Sequence, residues 1–328
     1  MVCLSFWRAL LRVTGLKAVA EKQSAPTVTS SREERAAEQP SGLPVPTAVG
    51  SPAPLAPAPE ADEDRGTSTP TAGMRAAALE RTLRSLVELH GTEHPDTITA
   101  RNNLATKYAQ MGRRQSAVQQ FEVALDEAVS VYGDEHPRTE IIRENLAWGL
   151  EDAGRPADAA QHWEMLLRER ESQFGPADED TVEARTRLAV CYRRSGRLDA
   201  AVAHYERAVE DVAGTVAREE LRLGLSAALN MSGRYDEAIT QLRMVLSGRR
   251  RRLGKGHLET LTVHHRLGRC YTQAGRANEA VETLSGAYRA AVNSSGDPEV
   301  RRLMLRLRRD LAGAYSAAGR PREADALL

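Results

Sequence analysis

At six nearly evenly spaced positions in this chain a glycine is followed by arginine: Gly112, Gly154, Gly196, Gly233, Gly275 and Gly319, spaced 42, 42, 37, 42 and 44 residues apart. A unit of that length cannot bury a core alone, so a chain built from such units must stack them and share the burial between neighbours. The period therefore fixes the architecture more tightly than composition does.

Aligned on these glycines, Leu104, Leu146, Leu188, Leu225, Leu267 and Leu311 stand eight residues upstream, each followed by a small residue (Ala105, Ala147, Ala189, Ser226, Gly268, Ala312). Tyr108, Leu150, Tyr192, Leu229, Tyr271 and Tyr315 lie four residues beyond the leucines, which is one face of a helix. Glycine then ends that helix, because it adopts the left-handed cap conformation at little cost. Ala117, Ala159, Ala201, Ala238, Ala280 and Ala324 follow five residues later. After four more come Phe121, Trp163, Tyr205, Leu242, Leu284 and Leu328, the stripe of a second helix. Small residues let two helices approach and large ones fill the space between pairs. With aromatics at only 4%, the core must come from Ala, Leu and Val, and the expected class is all-α: an α-solenoid of antiparallel helix pairs.

The pattern Leu-small-x-x-Tyr-x-x-x-Gly, then Ala-x-x-x-aromatic, resembles the tetratricopeptide repeat. The 42-residue period and the connecting "YGDEHPRT" resemble its kinesin light chain type, over roughly residues 74 to 328. The resemblance implies a right-handed array whose first helices line a concave surface and bind a protein or peptide.

The connections "LHGTEHPDT" (Leu89 to Thr97) and "VYGDEHPRT" (Val131 to Thr139) raise a competing reading, because His94 and His136 beside acidic residues have the composition of a metal or catalytic site. Stacked repeats would hold equivalent positions about 20 Å apart, too far to share a ligand. Gly91 and Gly133 end one helix, Pro95 and Pro137 suit the first turn of the next, and the acids favour its positive end. His257 lies in "LGKGHLET", where Leu258 replaces proline, and "FGPADEDT" has no histidine. These segments read as punctuation between helices.

No other segment carries chemistry. In "SGRRRRLGKGH", Gly248 is one residue too far from Gly254 for a phosphate loop, and Gly256 stands where Ser or Thr would hold magnesium. Cys191 and Cys270 occupy matching places in two first helices, as small fillers. No catalytic residue, metal site or cofactor site is assigned, and a non-enzymatic protein is expected.

Within the resemblance, residues two before, two after and five after each core leucine face the groove. These include Asn102, Thr106, Glu144, Trp148, Glu151, Thr186, Arg193, Asn230, His265, Arg269 and Arg309, with Asn103, Asn145, Arg187 and Arg266 at the groove edge. The expected groove runs from amide-rich to cationic: Asn matches both halves of a peptide bond and Arg offers a fork to carboxylates. Trp148 is expected either as an exposed aromatic anchor or as filler between repeats.

Ahead of the repeats, residues 1–22 place Val2, Leu4, Phe6, Trp7, Leu10, Leu11 and Val13 on one helical face and Ser5, Arg8 and Arg12 on the other. Such a segment suits a membrane interface or a partner, or folds back on the protein. Arg8 and Arg12 interrupt it well short of a membrane span. Residues 23–72 hold nine of the fifteen prolines and no aromatic residue, the composition of a disordered linker. The repeats, 73–328, comprise a leading helix and six pairs, the last cut short.

Acidic and basic residues balance at 45 each, but from Gln241 to Leu328 there are 17 Lys plus Arg against 8 Asp plus Glu. This end suits an anionic partner, although no stacking aromatics accompany the charge and nucleic acid is disfavoured. The lack of a capping helix after Leu328 makes self-association a second expectation. The alternative function is thus a regulatory subunit that self-associates or binds an anionic partner through its Arg-rich repeats. Three widely spaced cysteines give no disulfide framework, in keeping with the cytoplasm. Arg outnumbers Lys 41 to 4, as in a high-GC bacterial genome.

Overall fold

The computed structural model describes residues 71–294 and 296–327; the expectations for 1–22, for nearly all of 23–72 and for Leu328 lie outside the described residues. Thirteen helices and no strand are found among those described. The leading helix is α1 (Ala72–His90). Six pairs follow: α2 (Pro95–Gln110) with α3 (Arg114–Tyr132), α4 (Pro137–Asp152) with α5 (Pro156–Phe174), and α6 (Glu179–Arg194) with α7 (Leu198–Asp211). The remaining pairs are α8 (Thr215–Met231) with α9 (Tyr235–Leu253), α10 (Leu258–Gln273) with α11 (Ala277–Asn293), and α12 (Pro298–Ala317) with the short α13 (Pro321–Asp325).

Every helix packs on the next in the chain, which is the solenoid the period predicts. Among helices not consecutive in sequence, the closest neighbours are all first helices: α2 with α4, α6 with α8, and α10 with α12. First helices therefore crowd together on the inner side of the curve while second helices splay on the outer side. All six register leucines are buried, at 1–4% exposure, within a core running from Ile98 to Ala314 and a smaller N-terminal cluster around Leu83 and Leu104. Each such burial is worth about 1.5–3 kcal/mol.

The Gly-Arg dipeptide has a local cause. Gly112, Gly154, Gly196, Gly233, Gly275 and Gly319 all take positive φ, between 73° and 82°. The following arginine N–H then donates back to the carbonyl of the Tyr or Leu of the first helix, as from Arg113 to Tyr108 at 2.9 Å and from Arg155 to Leu150 at 2.8 Å. This six-residue closure satisfies a carbonyl that the helix end leaves open. Where that residue is tyrosine, the arginine also lies over its ring: Arg197 is 4.2 Å from the Tyr192 centroid and Arg320 4.8 Å from that of Tyr315.

The histidines of the connections are helix caps. Nδ1 of His94, His136 and His257 accepts from the backbone N–H two residues on, at 3.2, 3.1 and 3.3 Å. This satisfies one of the first-turn donors of α2, α4 and α10. Asp178 performs the same task for α6 and Asp297 for α12, which explains why "FGPADEDT" dispenses with histidine. Thr97 and Thr139 complete the turn by donating their hydroxyls to the carbonyls of Gly91 and Gly133, each at 2.8 Å.

Arginines also hold the pairs together from within, which sequence periodicity did not indicate. Arg170 of α5 is buried and reaches Glu140 and Glu144 of α4 at 2.8 and 2.6 Å. Arg185 of α6 is buried between Glu171 and Asp211, the latter at 2.6 Å, and Arg143 of α4 meets Asp134 at 2.5 Å. Such buried guanidiniums are tolerated only because carboxylates surround them.

Candidate partner-binding groove

The inner surface of the first helices divides into two halves of different character. In the N-terminal half, most of the polar residues that face inward are already engaged with one another. Asn145 Nδ2 donates to Asn102 Oδ1 at 3.0 Å, joining α4 to α2, and Asn102 is buried. Thr106 donates to the Asn102 carbonyl at 2.9 Å, and Glu144 accepts from the buried Arg170. Asn103 remains exposed at the edge.

Trp148 is filler rather than an exposed anchor. It is 9% exposed, meets Trp163 of α5 edge-on at a centroid separation of 5.7 Å, and carries the Arg187 guanidinium on its ring at 3.7 Å. The edge-on arrangement suits the quadrupole of the two indoles. Its Nε1 is buried without a hydrogen-bond partner. Glu151, also buried, accepts from Trp163 Nε1 at 2.9 Å; burial pushes its carboxyl above the usual range despite the nearby Arg187. Apart from exposed Asn103, the amide-rich half thus spends its polar groups on interhelical contacts.

The C-terminal half is open. A cavity of about 490 Å³ lies across α6, α8 and α10, with Leu242 of α9 also lining it. It brings together five residues picked out by register in the sequence: Arg193, Asn230, His265, Arg266 and Arg269. Leu223, Ala227 and Met231 form its apolar wall, and Glu220 and Gln273 add polar atoms. Asn230 donates to Gln273 at 2.7 Å, leaving its Oδ1 buried and without a partner. His265 Nε2 lies 2.7 Å from Asp310 Oδ2 on α12. Burial lowers its pKa, and the Asp310 hydrogen bond opposes that shift. Arg269 is 61% exposed, with Asp310 at 3.9 Å. Arg309 lies outside the cavity wall, exposed and 3.3 Å from Asp310. Thr186 is occupied by the Val182 carbonyl at 2.7 Å.

The walls Leu223 and Ala227 occupy the same register, two before and two after Leu225, as the polar residues chosen elsewhere. Their register alone marks them as wall residues, although a search for polar groups does not reach apolar side chains. No cluster of His, Cys, Asp or Glu able to hold a metal occurs among the described residues. Burial pushes the Cys270 thiol up to about 11 and raises that of Cys191 further, so neither is a ready nucleophile. No described helix is long and apolar enough to cross a membrane.

Comparison with known proteins agrees with this geometry. The tetratricopeptide repeat family model matches residues 77–127, 150–211 and 218–291, more than half of the chain. No curated protein matches the sequence. Among solved structures, the nearly identical TPR-like repeats of a putative kinesin light chain from Podosopora anserina are similar at 22% identity and a TM-score of 0.55, covering 62% of this chain and 99% of that one. BtubC (BKLC) from P. vanneervenii is similar at 18% identity and a TM-score of 0.51, covering 69% and 93%. These likenesses concern the fold. The chain belongs to the tetratricopeptide repeat family, and its fold is similar to that of kinesin light chain-like repeats.

Proposed function

We propose that this protein is a non-enzymatic scaffold that binds an acidic segment of a protein partner in the C-terminal half of its concave groove. The supporting observation is the cavity across α6, α8 and α10. Arg193, Arg266 and Arg269 supply three cations there, offset by Glu220 in the wall and by Asp310, 3.9 Å from Arg269, and the buried Asn230 Oδ1 is left without a hydrogen-bond partner. Guanidinium forks suit carboxylates, Asn suits a backbone N–H, and the wall of Leu223, Ala227 and Met231 suits an adjacent apolar side chain. The family generally mediates interactions between proteins, which is consistent with this reading. A reducing compartment such as the cytoplasm fits the unpaired thiols of Cys191 and Cys270.

The test uses the full chain and a pool of random nonapeptides with two fixed adjacent Glu residues, compared with a pool in which those positions are Gln. Anisotropy should show binding of the Glu pool alone, weakened by roughly tenfold or more in Arg193→Ala/Arg266→Ala, since each lost charge-assisted contact is worth about 1.5–3 kcal/mol. Equal binding of both pools, or an unaffected double variant, would reject the proposal.

A further inference from the structure

The register that aligns the repeats also compares the outer faces of the second helices, and one of them is reversed in charge. Ten residues after the capping glycine stand Glu122, Glu164 and Glu206 in the first three pairs, but Arg243 in the fourth. Glu122 and Glu164 pair with the arginine after the next glycine, Arg155 at 3.3 Å and Arg197 at 3.9 Å. With Arg243 in place of that acid, Arg276 keeps the pair to the acid three residues on, Glu279 at 2.8 Å, as Arg155 does with Asp158, and across the pairs reaches Asp236 at 3.1 Å.

The arginine run at the end of α9 divides by face. Arg249 is buried among Glu219, Glu220 and Glu259, and Arg252 reaches Glu219 at 2.9 Å. Arg250 and Arg251 lie between them and face outward. Positions equivalent to Arg250 in the first two pairs are Val129 and Glu171, and Lys255 matches Asp134 in the first connection.

Arg243, Arg250, Arg251 and Lys255 surround a depression of about 440 Å³ that also includes Ser247 and Leu246. Among the described residues none of these four cations stands within ion-pair distance of a carboxylate; Arg243 approaches the Tyr271 ring at 5.7 Å and acts on Glu279 only at longer range. The groups facing them supply no free acid: Glu279 is held by Arg276, and His264 is kept neutral by burial, with Arg250 adding to the shift. A helix C-terminus favours basic residues and accounts for Arg250 and Arg251. It does not account for Arg243 in mid-helix or for Lys255 beyond the end, and like charges spaced along one face repel.

We propose that this depression on the outer face of α9 binds a small soluble anion carrying several phosphates. A single carboxylate would leave three cations uncompensated, whereas clustered phosphates match both the charge and the guanidinium geometry. The site lies on a second helix and shares no residue with the groove cavity, so it stands independently of the groove reading.

The experiment is calorimetric titration of the full chain with inorganic tripolyphosphate and with inositol hexakisphosphate at low and moderate salt. Binding is expected at low salt and should weaken as salt screens the exposed charges. Arg250→Glu/Arg251→Glu should reduce affinity at least about tenfold. Arg243→Glu should also weaken binding; it restores the residue type of the first three pairs, so helical circular dichroism should be retained. Arg193→Ala/Arg266→Ala in the groove should bind as wild type. Absence of binding to both probes, undiminished affinity of Arg243→Glu, loss of binding in the groove variant, or attachment solely to anionic vesicles or acidic peptides would each overturn the proposal.

Discussion

The guanidinium of Arg187 on α6 lies 3.7 Å from the centroid of the Trp148 ring on α4. That contact closes the groove over the indole and joins two successive repeats across their inner face. It makes Trp148 a structural element of the array.

Trp148→Ala should therefore act on stability before it acts on binding. Removing a core indole costs about 3–5 kcal/mol, read as a lower urea midpoint, while affinity for the Glu-containing peptides should stay within about threefold among folded molecules. A binding loss with unchanged stability would restore the exposed-anchor reading.

Capping predicts a different pattern at the connecting histidines. His136→Ala should destabilise by about 1 kcal/mol, and His136→Asn, which keeps a capping acceptor, should recover most of that. A metal-ligand role would instead show stability that depends on added zinc or on a chelator.

Close helix contact makes Gly268 a sensitive position. A Cβ there would collide with the side chain of Leu284, which is fully buried. Gly268→Ala should cost about 1–3 kcal/mol through overcrowding, and Leu284→Ala in the same chain should cost less than the sum of the two single changes. Strict additivity in thermal unfolding would show that the two do not meet.

Acid should weaken the fifth pair. Burial, aided by Arg250, holds the His264 imidazole down at about 4, against 6.5 for the unperturbed group. Between those values the unfolded chain carries a proton that the folded chain does not, so stability falls as pH drops through this window. His264→Gln should remove about 1–2 kcal/mol of the loss between pH 7 and pH 5. An identical pH profile for the two proteins would contradict the assignment.

Fold was legible in the sequence because one period set it: the leucines, small residues and glycines at fixed offsets lie where stacking demands. The candidate groove was legible only in outline, since register tells which way a residue points but not whether a neighbour has already claimed it. Asn102 and Asn145 satisfy each other, and Glu144 is taken by Arg170, a residue on a second helix that the inward register never consulted. Arg170, Arg185 and Arg249 look like surface charge in sequence, and only the approach of acids from neighbouring elements makes them interior. For the same reason the "GRRRR" run divides into one buried tie, Arg249, one exposed tie, Arg252 to Glu219, and two outward cations.

Backbone hydrogen exchange of the full chain with and without the Glu-containing peptides at saturation tests the groove most directly. The account predicts added protection in α6, α8 and α10, the first helices that wall the cavity, with α7 and α11 unchanged. Protection concentrated in the second helices, or spread evenly over the array, would contradict it.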